Sequence, residues 1–277
     1  MNTKISLRKC SVTFIMLLVG ILFVLPFAWM VSASFKLEGE VFSYPIRWIP
    51  SEWIGFSNYG EVWFGKHPFL QYYWNTIQVT VLTTVVSCAV SALAAYGFSK
   101  IHFRASKWLF FIVLATFMVP QQAIIVPQFI LYRTIGLFDT HLGLILVNGF
   151  SVLGTFMLRQ FFMGVHDEFI ESAKIDGAGH LRIFATIALP LVKPAVATYA
   201  ILRFIWTWND YLNPLIFLRS DPLFTIQLAV QKFTTINGEF YSLIMAAAVS
   251  AILPLLIIFV IGQKRVTEGI AAGGVKG

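Results

Sequence analysis

The chain has 277 residues, of which 58% are hydrophobic and 12% are charged, and its formal net charge is +7. Soluble domains carry about a quarter charged residues, so this composition excludes an ordinary soluble domain and indicates a protein embedded in lipid. The lysines and arginines are scattered along the chain in short groups. This distribution is typical of the loops that fix the orientation of a membrane protein, rather than of a nucleic-acid-binding surface.

Six apolar stretches are long enough to cross a bilayer as helices, which takes roughly 20 residues each. They cover approximately residues 12–33, 76–98, 108–130, 142–163, 191–213 and 243–262. The sequence therefore predicts an all-α, polytopic membrane protein with six transmembrane helices.

The first stretch has two interpretations. Val31-Ser32-Ala33 resembles the small-x-small site at which a signal peptide is cleaved. The apolar core runs for about twenty residues, however, which is longer than the 7–15 of a signal peptide. We expect a retained membrane anchor.

The segment between the first and second spans, about residues 34–75, is rich in aromatic side chains. They are Phe35, Phe42, Tyr44, Trp48, Trp53, Phe56, Tyr59, Trp63, Phe64, Phe69, Tyr72, Tyr73 and Trp74. Aromatic rings with a polar edge favour the headgroup layer. The segment either lies on the outer face of the membrane or offers a docking surface to an external protein.

The second and third spans carry two helix-packing signals. Ser87, Ser91 and Ala95 recur every four residues, a spacing of small residues that lets helix backbones approach closely. Pro120 and Pro127 interrupt the third span, which predicts a kinked or broken helix near a transport pathway. Gln121 and Gln122 follow the first proline, where they can satisfy freed backbone groups or line a cavity.

A polar segment between the fourth and fifth spans reads as two short helices joined by a tight corner; we call residues 167–190 the elbow. The first helix covers residues 167–176, with Phe169, Ala173 and Asp176 on one face and Ile170 and Ile175 beside it. Gly177 permits a sharp reversal because it has no Cβ. The elbow is either a docking site for another protein or an ordinary surface hairpin.

The fifth span carries two charges, Arg203 and Asp210, seven residues apart and hence on nearly the same helical face. A charge at the bilayer centre costs roughly 2.5–3.5 kcal/mol, so Arg203 is expected to face the protein interior or a wet cavity. It is either a pathway residue or a polar contact to a partner helix. Asn209, Trp206 and Trp208 are expected to take part in outer-interface and intersubunit packing rather than in contact with solute.

The distribution of positive charge between the loops predicts the orientation. One side carries Lys4, Arg8, Lys9, Lys100, Arg104, Lys107, Arg159, Lys174, Arg182, Lys193, Lys264, Arg265 and Lys276. The other side carries Lys36, Arg47, Lys66, Arg133, Arg219 and Lys232, in mostly longer loops. Short loops rich in lysine and arginine remain in the cytoplasm, so both termini are expected there.

No pattern in the sequence points to a catalytic or metal site. Cys10 and Cys88 lie far apart in or beside apolar segments and are expected to be free thiols, and the histidines lack metal-binding spacing. Serine–lysine, paired-aspartate and histidine-rich sets are missing from the spans. The phosphate-binding pattern Gly-x-x-x-x-Gly-Lys-Ser/Thr does not occur, so we expect no cofactor on this chain.

Several motifs resemble those of one family. The run Glu171-Ser172-Ala173-Lys174-Ile175-Asp176-Gly177-Ala178, closed by Leu189-Pro190, resembles the EAA loop of permease subunits of ABC importers, with Ser172 in place of the usual alanine. Resemblance continues through Phe56-Ser57-Asn58-Tyr59, Met118-Val119-Pro120 and Trp208-Asn209. The run Gly273-Gly274-Val275-Lys276-Gly277 resembles the tail of the maltose-type, second permease of carbohydrate importers.

This resemblance implies a type I permease fold and a set of partners. They are a second homologous permease, two cytoplasmic ATPase subunits that use ATP and Mg²⁺, and an extracytoplasmic solute-binding protein. It implies that Glu171, Ser172, Ala173, Asp176, Gly177, Ala178 and Pro190 couple to the ATPases. It further implies contact of Gly274, Val275, Lys276 and Gly277 with the ATPases.

The resemblance also gives a division of the chain and leaves competing functions open. We expect an N-terminal helix and outer loop (1–70), a permease core (71–263) containing the EAA loop (about 165–190), and a cytoplasmic tail (264–277). Arg203, Asp210, Asn209, Pro120 and Gln121 are the candidates for pathway or gate residues. The alternatives are a permease for a non-sugar solute, an autonomous secondary transporter and, least favoured, an intramembrane enzyme.

Overall fold

The computed structural model describes residues 7–54, 57–235 and 238–274, and its architecture is helical. The helices are α1 (Leu7–Ser34), α2 (Glu38–Val41), α3 (Ser57–Phe64), α4 (Phe69–Lys100), α5 (Ser106–Thr116), α6 (Gln121–Thr134), α7 (His141–Val147), α8 (Val152–Met163), α9 (Asp167–Ile175), α10 (His180–Ile183), α11 (Leu189–Leu191), α12 (Lys193–Trp208), α13 (Leu212–Phe217), α14 (Ile226–Ala229) and α15 (Tyr241–Gly274). A π-helical turn (Phe184–Ala188) joins α10 to α11.

Short non-α elements complete the described chain. Two 3₁₀ turns span Asp221–Leu223 and Val230–Phe233. Strand β1 (Thr234–Thr235) pairs antiparallel with β2 (Gly238–Glu239), and Thr234 lies opposite Glu239. The all-α prediction is confirmed for the described residues apart from this short pairing.

Three helices are each long and apolar enough to cross a membrane, over Lys9–Ser34, Phe69–Lys100 and Tyr241–Lys264. Three helix pairs meet the same criterion only when each is taken together across a short bent break. The pairs are α5 with α6 (98°), α7 with α8 (52°) and His180–Leu191 with α12 (81°). The described residues therefore provide three to six candidate spans, in the regions of the six predicted ones.

The largest of these bends confirms one proline prediction and corrects the other. Helix α5 ends at Thr116, and α6 begins directly after Pro120, whose φ of −64° and ψ of 136° are extended rather than helical. Pro127 lies inside α6, which continues past it. The expectation that Pro127 interrupts the span is therefore wrong, because a proline removes one N–H and bends a helix without always ending it.

The fourth predicted span is also divided, which the sequence analysis did not foresee. Helix α7 ends at Val147, and Ser151 caps the start of α8 by accepting a hydrogen bond from Gly154 N to its Oγ at 3.0 Å. A serine in this position satisfies an amide that has no partner within its own helix. A second helix therefore starts inside the apolar stretch, and one continuous helix over 142–163 is wrong.

The fifth span is shorter than predicted, and Asp210 lies beyond it. Helix α12 ends at Trp208. Asp210 Oδ1 accepts a hydrogen bond from the backbone N–H of Asn213 at 3.2 Å, at the start of α13. Arg203 and Asp210 therefore do not share one helical face as predicted, because the aspartate satisfies an amide at the start of the next helix.

The second span starts earlier than the predicted residue 76, since α4 begins at Phe69. The polar side chains that shortened the prediction have partners in the segment after α13. Tyr72 donates from its hydroxyl to Asp221 Oδ2 at 2.8 Å, and Asn75 Nδ2 donates to the carbonyls of Pro222 and Phe224 at 2.8 and 3.0 Å. Satisfied in this way, these polar groups are compatible with a buried helical turn.

The chain divides into two compact units, and the first comprises residues 1–70 and 229–253. In this unit Glu38 accepts hydrogen bonds from the N–H groups of Tyr241 and Ser242, at 2.8 and 2.9 Å, at the start of α15. The aromatic-rich segment is split: Phe69 is buried, whereas Tyr44 is 96% exposed. Ala247 and Ala251, a small-residue pair on α15, are buried as packing residues.

The second unit comprises residues 71–228 and 254–277, and one apolar cluster forms its core. Its buried members are Ala92, Ala95, Tyr96, Leu158, Phe162, Val165, Ile170, Ala173, Ile183, Ala188, Val192, Ala195 and Tyr199. Ser87 and Ser91 are fully buried, which confirms the predicted packing role of the stripe they form with Ala95. The cluster joins α4, α8, the elbow and α12.

Close packing at Gly154 gives a testable consequence. A Cβ added to Gly154 of α8 would lie 2.2 Å from Tyr199 Cζ of α12. Tyr199 is 1% exposed, and its hydroxyl is 2.7 Å from Ser87 Oγ, so the ring has little room to retreat. We predict that Gly154→Ala lowers stability by about 1–3 kcal/mol, measured as thermal unfolding in detergent.

The matched control is Gly97→Ala in α4, where an added Cβ meets nothing within 4 Å. Alanine at a helical position with room should stabilise by about 0.5–1 kcal/mol. Equal unfolding temperatures for the two variants would contradict the close approach of α8 and α12.

Candidate functional site

The elbow turns at the glycine that the sequence analysis selected. Helix α9 ends at Ile175, and Gly177 has a φ of +79°. The N–H of Ala178 donates to the carbonyl of Ala173 at 2.9 Å, and the N–H of Gly177 donates to the carbonyl of Lys174 at 3.0 Å. These bonds satisfy carbonyls at the helix end, and the positive φ favours glycine. The predicted sharp reversal at Gly177 is confirmed.

The two faces of α9 are different from the predicted ones. Ile170 and Ala173 are buried in the apolar cluster, whereas Phe169 is 52% exposed and Ile175 is 86% exposed. The face built on Phe169, Ala173 and Asp176 is therefore wrong. Ile170 and Ala173 are three residues apart and lie side by side on a helix, so they form the buried face. Across the corner, Leu181 is 76% exposed.

The residues predicted to couple to the ATPases differ in their burial. Glu171, Ser172, Asp176, Gly177 and Pro190 are exposed, Ala178 is half-buried and Ala173 is buried. The polar members therefore lie on the surface, while the alanine at the centre of the motif packs inward. Their role in docking remains a prediction.

Lys100, at the end of α4, holds the start of the elbow. Its side chain is 4% exposed, and its Nζ donates to the Val165 carbonyl at 2.5 Å and to Asp167 Oδ1 at 2.6 Å. The hydrogen bond and the charge of Lys100 hold the pKa of the Asp167 carboxyl below its usual value. The stabilisation that this pair gives to the folded protein is fully present above the ordinary aspartate pKa. It is lost only as the pH falls through the lowered pKa of Asp167.

Tyr96 gives α4 a second contact with the elbow. Its hydroxyl is 3.4 Å from His180 Nδ1, and its ring centroid is 5.3 Å from that of Phe184. From the sequence, Lys100 was expected only as one of the loop charges that set the orientation. No local signal indicates these pairings, because the partners are 67 and 84 residues apart.

Residues from four neighbouring segments of the second unit line a cavity of about 250 Å³, which we call the polar cavity. The lining residues are Gln121, Asn148, Arg203, Trp206, Thr207, Asp210 and Asn213. Three of the predicted pathway candidates, Gln121, Arg203 and Asp210, therefore come together. Asn209 does not line the cavity; its Nδ2 donates back to the Ile205 carbonyl at 2.9 Å. Pro120 contributes the break that precedes Gln121.

A hydrogen-bond network fixes most of these side chains. Arg203 Nη2 donates to the Asn148 carbonyl, and Asn148 Nδ2 donates to Asp210 Oδ2 at 3.1 Å. Asn213 Nδ2 also donates to Asp210 Oδ2, at 2.7 Å, and its Oδ1 accepts from Gln121 Nε2 at 3.0 Å. Asn148 thus lies between the two charges and bridges them, since its carbonyl accepts from Arg203 and its side chain donates to Asp210. Neither Asn148 nor Asn213 was singled out from the sequence.

Some predicted positions cannot be placed. Phe56, Val275, Lys276 and Gly277 lie outside the described residues. Helix α15 continues to Gly274, so the predicted tail begins as part of this helix.

Comparison with known proteins identifies relatives of this architecture. The family described as "Binding-protein-dependent transport system inner membrane component" matches residues 88–271. The arabinooligosaccharides transport system permease protein AraQ of Bacillus subtilis is 30% identical over all of this chain and 99% of its own length. The maltodextrin transport system permease protein MdxG of the same species is 35% identical over 77% of this chain and 78% of its own.

A solved structure has the same fold. It is a chain of a bacterial ABC transporter involved in the import of the acidic polysaccharide alginate. The superposition has a TM-score of 0.82 at 25% identity, and covers 95% of this chain and 98% of that one. The similarity therefore extends over nearly the whole chain.

The contact between Lys100 and Asp167 predicts an asymmetric effect of mutation. Asp167→Ala should loosen α9 more than Lys100→Met, because the exposed carboxylate regains water while the buried ammonium does not. We expect backbone amides of residues 167–175 to exchange about tenfold faster in Lys100→Met and faster still in Asp167→Ala. Hydrogen-exchange mass spectrometry measures both.

Lys107→Met, at an exposed lysine of α5, is the control for loss of a positive charge and should leave these exchange rates unchanged. Equal exchange in all three variants would show that Lys100 does not anchor the elbow.

Proposed function

The chain belongs to the family of binding-protein-dependent transport system inner membrane components, and from that membership we propose that it is the permease subunit of an ATP-driven importer for oligosaccharides. The observation that carries the proposal is the elbow. One face is built into the core of the unit that holds α4, α8 and α12, and the other presents apolar side chains to the exterior.

The exposed face of the elbow supports docking of another protein. Ile175 is 86% exposed and lies outside the candidate spans, and Leu181, across the corner at the start of the bent pair His180–Leu191 with α12, is 76% exposed. Apolar side chains that enter a pocket of a partner contribute much of the binding energy at protein interfaces. We assign this face to one of two cytoplasmic ATPase subunits; the other ATPase subunit docks to a second, homologous permease.

The buried face supports transmission of movement. Ile170 and Ala173 pack in the same cluster as Tyr96 and Phe162, and interdigitated cores move as bodies rather than deform continuously. When ATP binding closes the ATPase subunits, the elbow moves with them and carries the attached helices. The pathway then opens alternately to the two sides of the membrane, because each ligand state binds one conformation more tightly.

The remaining partners follow from the same proposal. The ATPase subunits bind ATP and Mg²⁺, since the phosphate-binding loop pattern is missing from this sequence. An extracytoplasmic binding protein delivers the solute, and the C-terminal residues 274–277 contact the ATPases. The chain resides in the inner membrane with both termini in the cytoplasm, supported by the lysine and arginine distribution.

Oligosaccharide is the proposed solute class. Support comes from the two relatives whose transported compounds are arabinooligosaccharides and maltodextrin. Autonomous transport is the competing function, and it gives a direct test. Uptake should require the binding protein and the ATPases; uphill uptake by this polypeptide alone in liposomes would overturn the proposal.

The corner at Gly177 predicts an uncoupled variant. Gly177→Val should reduce uptake and ATPase stimulation at least tenfold, because a β-branched residue is strained at a φ of +79° even though no atom lies within 4 Å of an added Cβ. Gly179→Val is the control, since Gly179 has a φ of −73° and equal space. Normal, binding-protein-stimulated ATPase activity in Gly177→Val would count against coupling through the corner.

The exposed isoleucine of α9 predicts an assembly defect. Ile175→Asp should weaken ATPase association at least tenfold in co-purification from membranes, because a charge would be buried without a partner. Ile135→Asp, at an isoleucine that is 54% exposed beyond α6, should assemble normally. Association that is unchanged by Ile175→Asp would remove Ile175 from the interface.

A variant at Glu171 compares the contribution of charge to ATPase docking with the contribution of the apolar contact. Glu171→Lys should weaken ATPase association less than Ile175→Asp, because exposed ion pairs contribute about 0–1 kcal/mol. Co-purification at two salt concentrations separates the contributions, since salt screens the charge but not the apolar contact. A larger effect of Glu171→Lys would show that charge dominates the docking.

A further inference from the structure

The segment that follows α2 exposes a cluster of apolar side chains. Glu40 accepts hydrogen bonds from the Oγ of Ser51 and from its backbone N–H, the latter at 3.4 Å, and this contact closes residues 41–50 into a loop. We call residues 41–50 the aromatic loop. A cluster of exposed apolar side chains marks a surface that binds protein or lipid. The exposed apolar residues of the loop are Phe42, Tyr44, Ile46, Trp48 and Ile49.

Two hydrogen bonds fasten the aromatic loop to the end of α1. Lys36 Nζ donates to the carbonyl of Arg47 at 2.5 Å, and Ser32 Oγ donates to the carbonyl of Trp48. Lys36 is fully buried, and its Nζ lies 3.9 Å from the centre of the Trp29 ring, which is a cation–π contact. The loop is therefore held against the last two turns of α1 and cannot lift away from that helix without breaking these contacts.

The contact between Trp29 and Trp48 gives the depth of the loop in the membrane. Their ring centroids are 5.5 Å apart. Trp29 precedes Ser34, the last residue of α1, by about 7.5 Å along the helix axis.

The length of the candidate span places Trp29 relative to the lipid. Lys9–Ser34 has 26 residues and is about 39 Å long, whereas the hydrocarbon core of a bilayer is about 30 Å thick. A helix centred in the bilayer and parallel to its normal extends about 4–5 Å beyond the core at each end, so Trp29 lies about 3 Å inside it. Trp48, beside Trp29, lies at the boundary between hydrocarbon and headgroups, where tryptophan is enriched.

This depth decides which partner covers the aromatic loop. A water-soluble protein docks above the headgroups, whereas side chains at the boundary meet lipid. Ile46 and Ile49, on either side of Trp48, are exposed, and so are most apolar side chains of α1. Apolar side chains beside a charged one are the composition by which a segment lies in the interfacial layer.

Arg47 supplies that charge. Its side chain is exposed and forms no ion pair within the part of the chain that the structure describes. The long arginine side chain can keep its stem along an apolar surface while its charged head reaches the polar layer. A guanidinium binds phosphate oxygens through two parallel hydrogen bonds, so a phospholipid phosphate fits Arg47.

We propose that the aromatic loop anchors the protein in the outer leaflet, with Ile46, Trp48 and Ile49 at the boundary of the hydrocarbon and Arg47 bound to a phospholipid phosphate. The inference rests on the proposed function only for the side of the membrane on which the loop lies. Glu38, just before the loop, accepts hydrogen bonds from the N–H groups at the start of α15. The anchor therefore also holds the outer end of α15.

Spin labels measure the depth of the loop in the assembled complex of this chain, the partner permease and the two ATPases, in phosphatidylcholine–phosphatidylglycerol nanodiscs. The native thiols are removed by Cys10→Ser and Cys88→Ala, and single labels are placed by Ile46→Cys and Ile49→Cys. Both labels should lie about 5–10 Å below the phosphates. They should be about threefold more accessible to oxygen than to a water-soluble nickel complex, because oxygen concentrates in hydrocarbon.

Two further labels calibrate these depths. Val24→Cys labels an exposed position near the middle of α1 and gives the deep reference. Arg219→Cys labels an exposed position in the loop after α13 and gives the aqueous reference.

Two results would overturn the anchor. Labels at Ile46 and Ile49 that the nickel complex reaches as freely as it reaches Arg219 would place the loop in water, and immobilisation by added binding protein would then identify a protein-docking surface. Labels that neither oxygen nor the nickel complex reaches would show that the partner permease covers the loop.

Lys36→Met tests the attachment of the loop to α1. Methionine fills similar space but loses the cation–π contact and the bond to the Arg47 carbonyl, so the label at Ile46 should become about twofold more mobile. Lys66→Met, at an exposed lysine of the same unit, is the control for loss of charge and should leave the mobility unchanged. Equal mobility in the two variants would overturn the attachment through Lys36.

Arg47→Gln tests the phosphate contact. It should lower the amount of phospholipid that co-purifies with the complex in detergent, counted by mass spectrometry, by about twofold at the tightest-binding stage. Arg47→Lys keeps the charge and should retain more lipid than Arg47→Gln. Equal lipid in the wild type and Arg47→Gln would overturn the phosphate contact.

The same preparation separates the anchor from the proposed function. Binding-protein-stimulated ATPase activity of the labelled complex tests the proposed function alone. If that activity is present while the labels lie in water, the anchor fails and the proposed function stands. If the labels lie at the expected depth in a complex without stimulated activity, the proposed function fails and the anchor stands.

Discussion

The burial of Ile170 and Ala173 in the apolar cluster is the contact on which the rest of the structure depends. Through it, the elbow shares one core with α4, α8 and α12. Burying an isoleucine side chain contributes about 1.5–3 kcal/mol, and Lys100 adds a buried polar anchor at the start of α9. The elbow therefore cannot swing freely on the surface, and a force applied to its outer face reaches the helices that form the polar cavity.

The two faces of the elbow differ in burial. This difference explains why the sequence alone does not show which apolar residues of α9 face the core. A short helix with Phe169, Ile170, Ala173 and Ile175 has apolar residues on most of its circumference. Only Ile170 and Ala173 are buried in the core, whereas Ile175 is 86% exposed. The exposed Ile175 is consistent with the docking surface that we propose for this face.

Local chemistry could be predicted from the sequence, whereas long-range pairing could not. The apolar stretches, the break at Pro120 and the reversal at Gly177 each depend on residues within a few positions. The break before Ser151 was missed, because its capping bond to Gly154 lies inside an apolar stretch that reads as one span. The pairing of Lys100 with Asp167 and the meeting of cavity residues from separate segments depend on tertiary packing, which a single sequence does not encode in any local pattern.

The polar cavity shows that the irregular backbone and the buried charge depend on each other. A break such as that between α7 and α8 leaves backbone carbonyls without helical partners, which is tolerated at membrane depth only where protein or a cavity satisfies them. Arg203 donates to one such carbonyl, that of Asn148, and the Asn148 side chain passes the contact to Asp210. A continuous fourth helix would leave Arg203 without this acceptor, and an apolar residue at 203 would leave the carbonyl without this donor. The break and the charge therefore form one arrangement, and together they keep open a polar space that neither an unbroken helix nor an apolar side chain would provide.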